Sequence, residues 1–344
     1  MTADGVAEAV FVVGSSRSGT TMMGRILGRH PAVHTFNELH FFEQIWSGEG
    51  VDDTVDESEA LDVFARLLAI QRNGYLTPGD PSHFEGEAAE ALEGRAPETG
   101  GPLRAGDVFR RFLAYETERE GCVVPCDHTP RNVFYLREVR RILPGARVVN
   151  MIRDPRAVLL SQKNKWRRRS LGGRSIPLRE AARAWVNYHP VTIAQLWKGS
   201  VRAAAEVAVE PWVSNVHFEE LLEAPEETVR RVCAFLGVEF RSDMLEIPKV
   251  GSSNRPDEPR ETGIDPDRAN RWRDGGLSGA EVWLCQAVAG TTAEEHGYRR
   301  EEASPNPLRL LAEIVVFPVK TAAALVANAH RARSLWSAIR RRLV

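Results

Sequence analysis

Gly14-Ser15-Ser16-Arg17-Ser18-Gly19-Thr20-Thr21 is the stretch of this chain whose residue types and spacing most directly do chemistry. The spacing is that of a phosphate-binding loop, G-x-x-x-x-G-K-[ST], with Thr20 where the lysine would stand. Glycines let consecutive backbone N–H groups curl around an anion, and a helix starting there adds positive potential. Thr20 and Thr21 bring hydroxyl donors to the same oxygens, and Arg17 a planar, permanently charged fork. The candidate anion site is therefore Ser16, Arg17, Ser18, Gly19, Thr20 and Thr21. Without the lysine, ATP or GTP hydrolysis is disfavoured. No apolar run ends in a metal-binding aspartate either, because RVVNMI meets Arg153 before Asp154.

Such a loop needs a strand before it and a helix after it. Residues 9–14 (AVFVVG) are a continuous apolar, β-rich run ending at glycine, the mark of a strand buried on both faces. Residues 22–29 follow with helical spacing. Residues 122–126, 147–151 and 212–218 read as further strands; 133–143, stopped by Pro144-Gly145, and 225–236 read as helices. Strands alternating with helices predict an α/β fold with a P-loop-like parallel sheet flanked by helices. Residues 40–120, acidic and rich in Gly and Pro, carry helical patches at 58–72 and 105–120 and are expected to form a helical cap. The polar stretch 241–276 is too long for a mere connector. The expected organisation is a main domain over 1–303, including that cap at about 40–120, and a basic helical C-terminal extension over 304–344.

The loop motif SSRSGTTMM, the segment VVNMIRDPRAVLLSQKNKW, the segment VHFEELLEAPEETVRRVCAFLGVEF, and RANRWRDGGLS with a later HGY occur in that order over residues 9–300. In this order they resemble the sulfotransferases that use 3′-phosphoadenosine-5′-phosphosulfate (PAPS), most closely the branch of tyrosylprotein and many bacterial enzymes. The resemblance implies in-line transfer of a sulfuryl group from PAPS to an acceptor hydroxyl, with 3′-phosphoadenosine-5′-phosphate (PAP) as product and no metal. It assigns the first loop to the 5′-phosphosulfate and Arg153 and Ser161 to the 3′-phosphate. Lys165, one helical turn beyond Ser161, adds charge on the same face. Ser253, with Ser252 beside it, and Arg271 and Trp272 match late elements that close over the nucleotide.

Catalytic candidates under this resemblance are Arg17, Glu38 and His128. Glu38 aligns with a proposed general base and suits that role if its surroundings raise its pKa. His128, in Asp127-His128-Thr129-Pro130, stands where many relatives carry a lysine on the bridging oxygen. An imidazole, with a reference pKa of about 6.5, can donate there when protonated or can itself be the base. It can also simply cap a helix beginning near Pro130, and the division of roles stays open at this level. His34 and His40 are rival bases. Phe218 replaces a frequent tyrosine, which keeps stacking but removes a hydroxyl; Trp166 and Trp185 are expected in the core. A P-loop kinase or nucleotide-binding protein and a non-catalytic PAP-binding module are the competing functions; the paired carboxylate and imidazole argue against the second.

Composition narrows the field. The 344 residues are 43% hydrophobic and 27% charged with net charge −2, which excludes collagen-like, disulfide-scaffold and wholly disordered chains and gives no nucleic-acid signature. Cys122 and Cys126 near His128 fall short of a metal-ligand set. The first residues lack the order of a signal peptide, and no 18-residue uncharged apolar run occurs, so a cytoplasmic protein is expected. Charge is uneven: residues 304–344 hold seven Arg or Lys against Glu313 alone. Within them, 308–327 is apolar but interrupted by Arg309, Glu313, Pro318 and Lys320, too broken to span a bilayer, with Pro318 expected to kink it. Residues 329–344 read as a basic amphipathic end with Trp336. Peripheral contact with the inner membrane face, and packing on the catalytic domain or a second subunit, both follow from that pattern. The acceptor that the resemblance implies is a hydroxyl of a small molecule, glycan, lipid or phenol.

Overall fold

Four of the apolar runs form strands, joined by one short strand that periodicity misses. A computed structural model describes residues 6–46, 50–93 and 102–328. In chain order the elements are β1 (Val10–Gly14), α1 (Thr20–Leu27), β2 (Val33–Thr35), α2 (Glu57–Asn73), α3 (Glu85–Leu92), α4 (Ala105–Arg119), β3 (Val124–Asp127) and α5 (Leu136–Ile142). There follow β4 (Arg147–Ile152), α6 (Pro155–Lys163), α7 (Leu178–Asn187), α8 (Pro190–Ala205), β5 (Val213–His217), α9 (Phe218–Glu223) and α10 (Pro225–Leu236). The last are β6 (Pro248–Lys249), β7 (Glu258–Thr262), α11 (Gly279–Glu295) and α12 (Pro307–Asn328). The main sheet has the order β2-β3-β1-β4-β5 and is parallel throughout. β1 lies in its centre, every residue buried, in register from Val10 against Arg147 to Gly14 against Met151. β2 is a three-residue edge with a single apolar side chain, Val33, too short and too polar to show strand periodicity.

The α/β architecture is thus as the residue pattern predicts, with all strands ending on one side of the sheet. Ligands in such sheets sit beyond the carboxyl ends where the strand order reverses. Here that point lies beside β1, between chain segments that run to opposite edges.

Alternate side chains of β1 serve two cores. Val10 and Val12 pack with Met23, Ile26 and Leu27 of α1 and with Val229 and Val232 of α10. Phe11 and Val13 pack on the other face with Phe64 and Leu67 of α2 and Phe109 and Phe112 of α4. The expected cap is therefore one layer of the main core. Phe41 stacks on Phe109 with ring centroids 4.1 Å apart, which carries the layer across to the site. The polar stretch 241–276 contains the short antiparallel pair β6–β7.

Two expectations change. Trp166 and Trp185 are not core residues: they are 42% and 58% exposed and lie under the cations of Arg167 and Lys320. The tail is less broken than its charges imply. α12 is a 22-residue helix with Pro318 inside it, and by length and composition alone it is apolar enough to cross a membrane, with a mean hydropathy of 1.9 over 18 residues. The basic amphipathic end at 329–344 lies outside the described residues.

If the α2–α4 layer shares the sheet's core, Phe109→Ala should lower stability by about 3–5 kcal/mol in one cooperative urea transition. Two transitions, of which only the first moves, would make the layer an independent unit.

Candidate active site

Beyond the carboxyl ends of β1, β3 and β4 opens a cavity of about 1220 Å³. Pockets for one small ligand usually measure about 300–1,000 Å³, so this one has room for two ligands side by side. Its wall brings together Ser16, Arg17, Gly19, Thr20 and Thr21 from the first loop with Arg153, Ser161 and Lys165 from the β4–α6 segment. Glu38 and His128 come from the ends of β2 and β3, and Ser253 and Arg271 from the long polar stretch.

The loop can take this path at only a few residue types. A Cβ on Gly14 (φ 141°) would stand 2.3 Å from the Met151 carbonyl oxygen, and one on Gly19 (φ 102°) 2.3 Å from the Phe218 ring. Arg17 also has a left-handed backbone, φ 76°, which costs a non-glycine residue about 1–3 kcal/mol unless its surroundings hold it. Its side chain does so. Arg17 Nε donates to Ser161 Oγ (3.0 Å), and Nη2 to Gly251 O (2.9 Å) and Ser253 Oγ (3.0 Å). Its carbonyl accepts from Arg153 Nη1 (3.0 Å). One residue thereby joins three segments far apart in sequence.

Behind this layer stand the residues of the weaker sequence segments. The Arg153 guanidinium lies 4.3 Å over the Phe218 ring, so the phenylalanine keeps the stacking role. Trp197 Nε1 donates to Arg153 O (2.9 Å). Glu219 accepts from the Asp154 N–H (3.0 Å) and from the Tyr298 hydroxyl (2.9 Å), which ties the HGY end to the start of α6. Arg168 escapes notice in the sequence because Arg167-Arg168-Arg169 reads as a solvated charge run. It clamps the 250–257 loop, pairing with both Asp257 oxygens (2.9 and 2.8 Å) and donating to Ser252 O (2.9 Å).

Two candidates stand away from the cavity. Ser18 is fully buried, its hydroxyl without a partner among the described residues; its N–H donates to Ser15 O (3.0 Å), making it a turn residue. Trp272 packs beneath α6 against Ala157 and Leu160, with the Arg156 guanidinium 4.1 Å over its ring. It braces the helix that carries Ser161 from behind. His128 caps no helix, because Asp127 satisfies that turn by accepting from Thr129 N (2.9 Å) and Asn132 Nδ2 (2.8 Å).

Electrostatics separate the acid–base candidates. Burial within the cavity walls works to raise the pKa of Glu38, but His40, 3.4 Å away, and the charges of His128 and Lys165 outweigh it and hold the carboxyl down to about 2. Its environment thus acts opposite to what a general base needs. His128 packs against Gly24, where a Cβ would meet its ring at 2.3 Å, and its buried Nδ1 has no hydrogen-bond partner among the described residues. Lys165 is exposed and lines the cavity wall. Desolvation, with the Arg17 charge adding, pushes its ammonium down to about 8 against the opposing pull of Glu38. Burial raises the Cys126 thiol to about 12, so it is inert. Among the described residues, no group of three or more His, Cys, Asp or Glu is placed to hold a metal.

A model of the sulfotransferase family matches residues 9–242. The chain is 22% identical over 244 residues to a Caenorhabditis briggsae protein assigned as a protein-tyrosine sulfotransferase, covering 69% of this chain and 68% of that one. It is 24% identical over 243 residues to the nodulation protein NoeE of Sinorhizobium fredii, covering 66% of this chain and 49% of that protein, about half its length. In fold it is similar to the sulfotransferase domain of the Synechococcus PCC 7002 olefin synthase (TM-score 0.50, 20% identity, 85% of this chain and 95% of that one). A second such domain, from the curacin biosynthetic pathway, gives a TM-score of 0.51 at 16% identity over 86% and 99%.

The cavity electrostatics are testable without any ligand. Competitive amine labelling read by peptide mass spectrometry should place the Lys165 midpoint near pH 8, well below that of Lys249, whose ammonium is held up by Glu261. Glu38→Gln removes a charge that raises the Lys165 pKa, so the midpoint should fall further. A Lys165 midpoint at the ordinary lysine value, near 10.4, contradicts the arrangement.

Proposed function

Because the chain belongs to the sulfotransferase family, we propose that it transfers a sulfuryl group from PAPS to an acceptor hydroxyl by in-line displacement. The observation that carries the reading is the Arg17 junction. It sets an N-terminal helix turn, two arginines and two serine hydroxyls around one end of a cavity large enough for donor and acceptor together. A donor set of cations, hydroxyls and backbone amides without carboxylates fits a nucleotide bearing phosphates at two positions. Arg153, Ser161 and Ser253 would hold the 3′-phosphate. Gly19, Thr20 and Thr21, at the positive end of α1, would hold the 5′ group. When bound, PAPS supplies a sulfuryl group joined through a bridging oxygen that leaves with PAP.

The chain's own part is positioning and charge stabilisation, as in phosphoryl transfer. His128 takes the proton of the acceptor hydroxyl as the new S–O bond forms and the bridging S–O bond breaks. An imidazole suits a base working near neutral pH better than a carboxyl held down to about 2. Glu38, ionised and paired with His40, fixes the field around it. Lys165 and Arg17 offset charge on the departing oxygen. A P-loop kinase reading lacks support, since Thr20 stands where that chemistry uses lysine.

PAP should raise the thermal midpoint by simple mass action, and adenosine monophosphate much less. Arg153→Ala should abolish most of the difference. Equal stabilisation by the two nucleotides would remove the 3′-phosphate assignment. His128→Ala should keep PAP affinity within a few-fold while lowering PAPS turnover by about 10²-fold or more. Near-normal turnover in that variant would return the base role to Glu38.

A further inference from the structure

A helix on a water-facing surface buries its apolar stripe and turns its charges outward; α12 does the reverse. Lys320 Nζ donates to the Trp185 carbonyl (3.1 Å) and sits 3.8 Å over that indole. Glu313 lies 3.6 Å from His189, and Asn328 Nδ2 donates to Asn187 Oδ1 (2.7 Å). Thr321 turns its hydroxyl back to Phe317 O (2.9 Å). The outward side is built from residues such as Leu311, Val315, Val319 and Val326, which are 57%, 62%, 69% and 78% exposed. Only Arg309, at the helix start, interrupts it. At about 100° per residue this apolar face covers an arc of roughly 200°.

One partner helix occupies a narrower seam than that, whereas a hydrocarbon boundary wets the whole arc. The nearby charge has matching sign: Arg309 lies in the first turn, and the sequence of residues 329–344 carries Arg331, Arg333, Arg340, Arg341 and Arg342 with no Asp or Glu. Because its polar side is bonded to the domain from Glu313 to Asn328, α12 lies along the protein surface and does not leave it to span. Leu325 and Asn328 of α12 also line the cavity that Glu38 and His128 face.

We propose that α12 is an interfacial helix that seats this protein on an anionic lipid bilayer, and that the acceptor is a hydroxyl-bearing amphiphile drawn from that bilayer. The second half rests on the proposed sulfotransfer; the docking does not. Anionic attraction plus apolar insertion is the usual basis of such binding.

The test is flotation of the full chain with phosphatidylglycerol–phosphatidylcholine vesicles and with phosphatidylcholine alone, at low and moderate salt. The full chain should float with the anionic vesicles, less at moderate salt. Val315→Asp combined with Val319→Asp should reduce recovery at least tenfold with the thermal midpoint unchanged, both sites being exposed. Failure of the full chain to float, or equal flotation of the variant, overturns the docking. So does a vesicle-indifferent dimer that the variant splits, which would put a second copy on the face. Flotation of only a chain ending at Asn328 would place residues 329–344 there instead, and also overturns it. With labelled PAPS and membrane extract, label should enter solvent-extractable lipid. Label confined to the aqueous phase overturns the acceptor class alone, while flotation without any transfer counts against sulfotransfer and leaves the docking standing.

Discussion

The site depends on a single residue in an unfavourable backbone conformation. Arg17 occupies the left-handed region, where a non-glycine side chain is penalised, and its guanidinium reaches Ser161, Gly251 and Ser253. The bonds and the strain explain each other: the loop can turn this sharply because distant segments hold it, and those segments are aligned because the loop presents Arg17 to them. Strain of this kind collects where geometry must be set before a ligand arrives. Gly14 and Gly19 serve the same end by letting β4 and Phe218 approach more closely than any side chain would allow.

Outward from that junction the support is layered. Arg168 and Asp257 fasten the 250–257 loop, and Trp197, Glu219 and Tyr298 fix the backbone around Arg153. Trp272 with Arg156 stiffens α6 from behind. The acid–base candidates Glu38 and His128 lie past the ends of β2 and β3, where Phe41 and Phe109 connect them to the buried α2–α4 layer. Charge then divides the labour between them. His40 and Lys165 draw the Glu38 carboxyl down and leave it a fixed charge, whereas the buried Nδ1 of His128 has no hydrogen-bond partner among the described residues.

The parts of this arrangement written in local sequence were legible there. Continuous apolar runs announced β1 and β4, and the glycine spacing announced the tight turn between β1 and α1, because strand burial and glycine-rich turns depend on neighbouring residues. What depends on distant contacts was not legible. β2 is three residues long and exists because β3 lies beside it. Ser18 is a ligand candidate by its motif but does not line the cavity, and Arg168, which the sequence does not single out, is joined to Asp257, 89 residues away. The low pKa of Glu38 comes first from His40, two residues away in sequence, and only then from His128 and Lys165, which the fold brings near; the inverted polarity of α12 emerges only once its inner face is known.

The central claim is that one arginine gathers three separate segments into one nucleotide site. Hydrogen exchange with mass spectrometry, on the full chain with and without PAP, tests it most directly. The account predicts that residues 14–21, 153–165 and 250–257 gain protection together on PAP binding, and that Arg17→Ala uncouples the 250–257 segment from the other two. Protection of the first loop alone, with 250–257 unchanged, would contradict it.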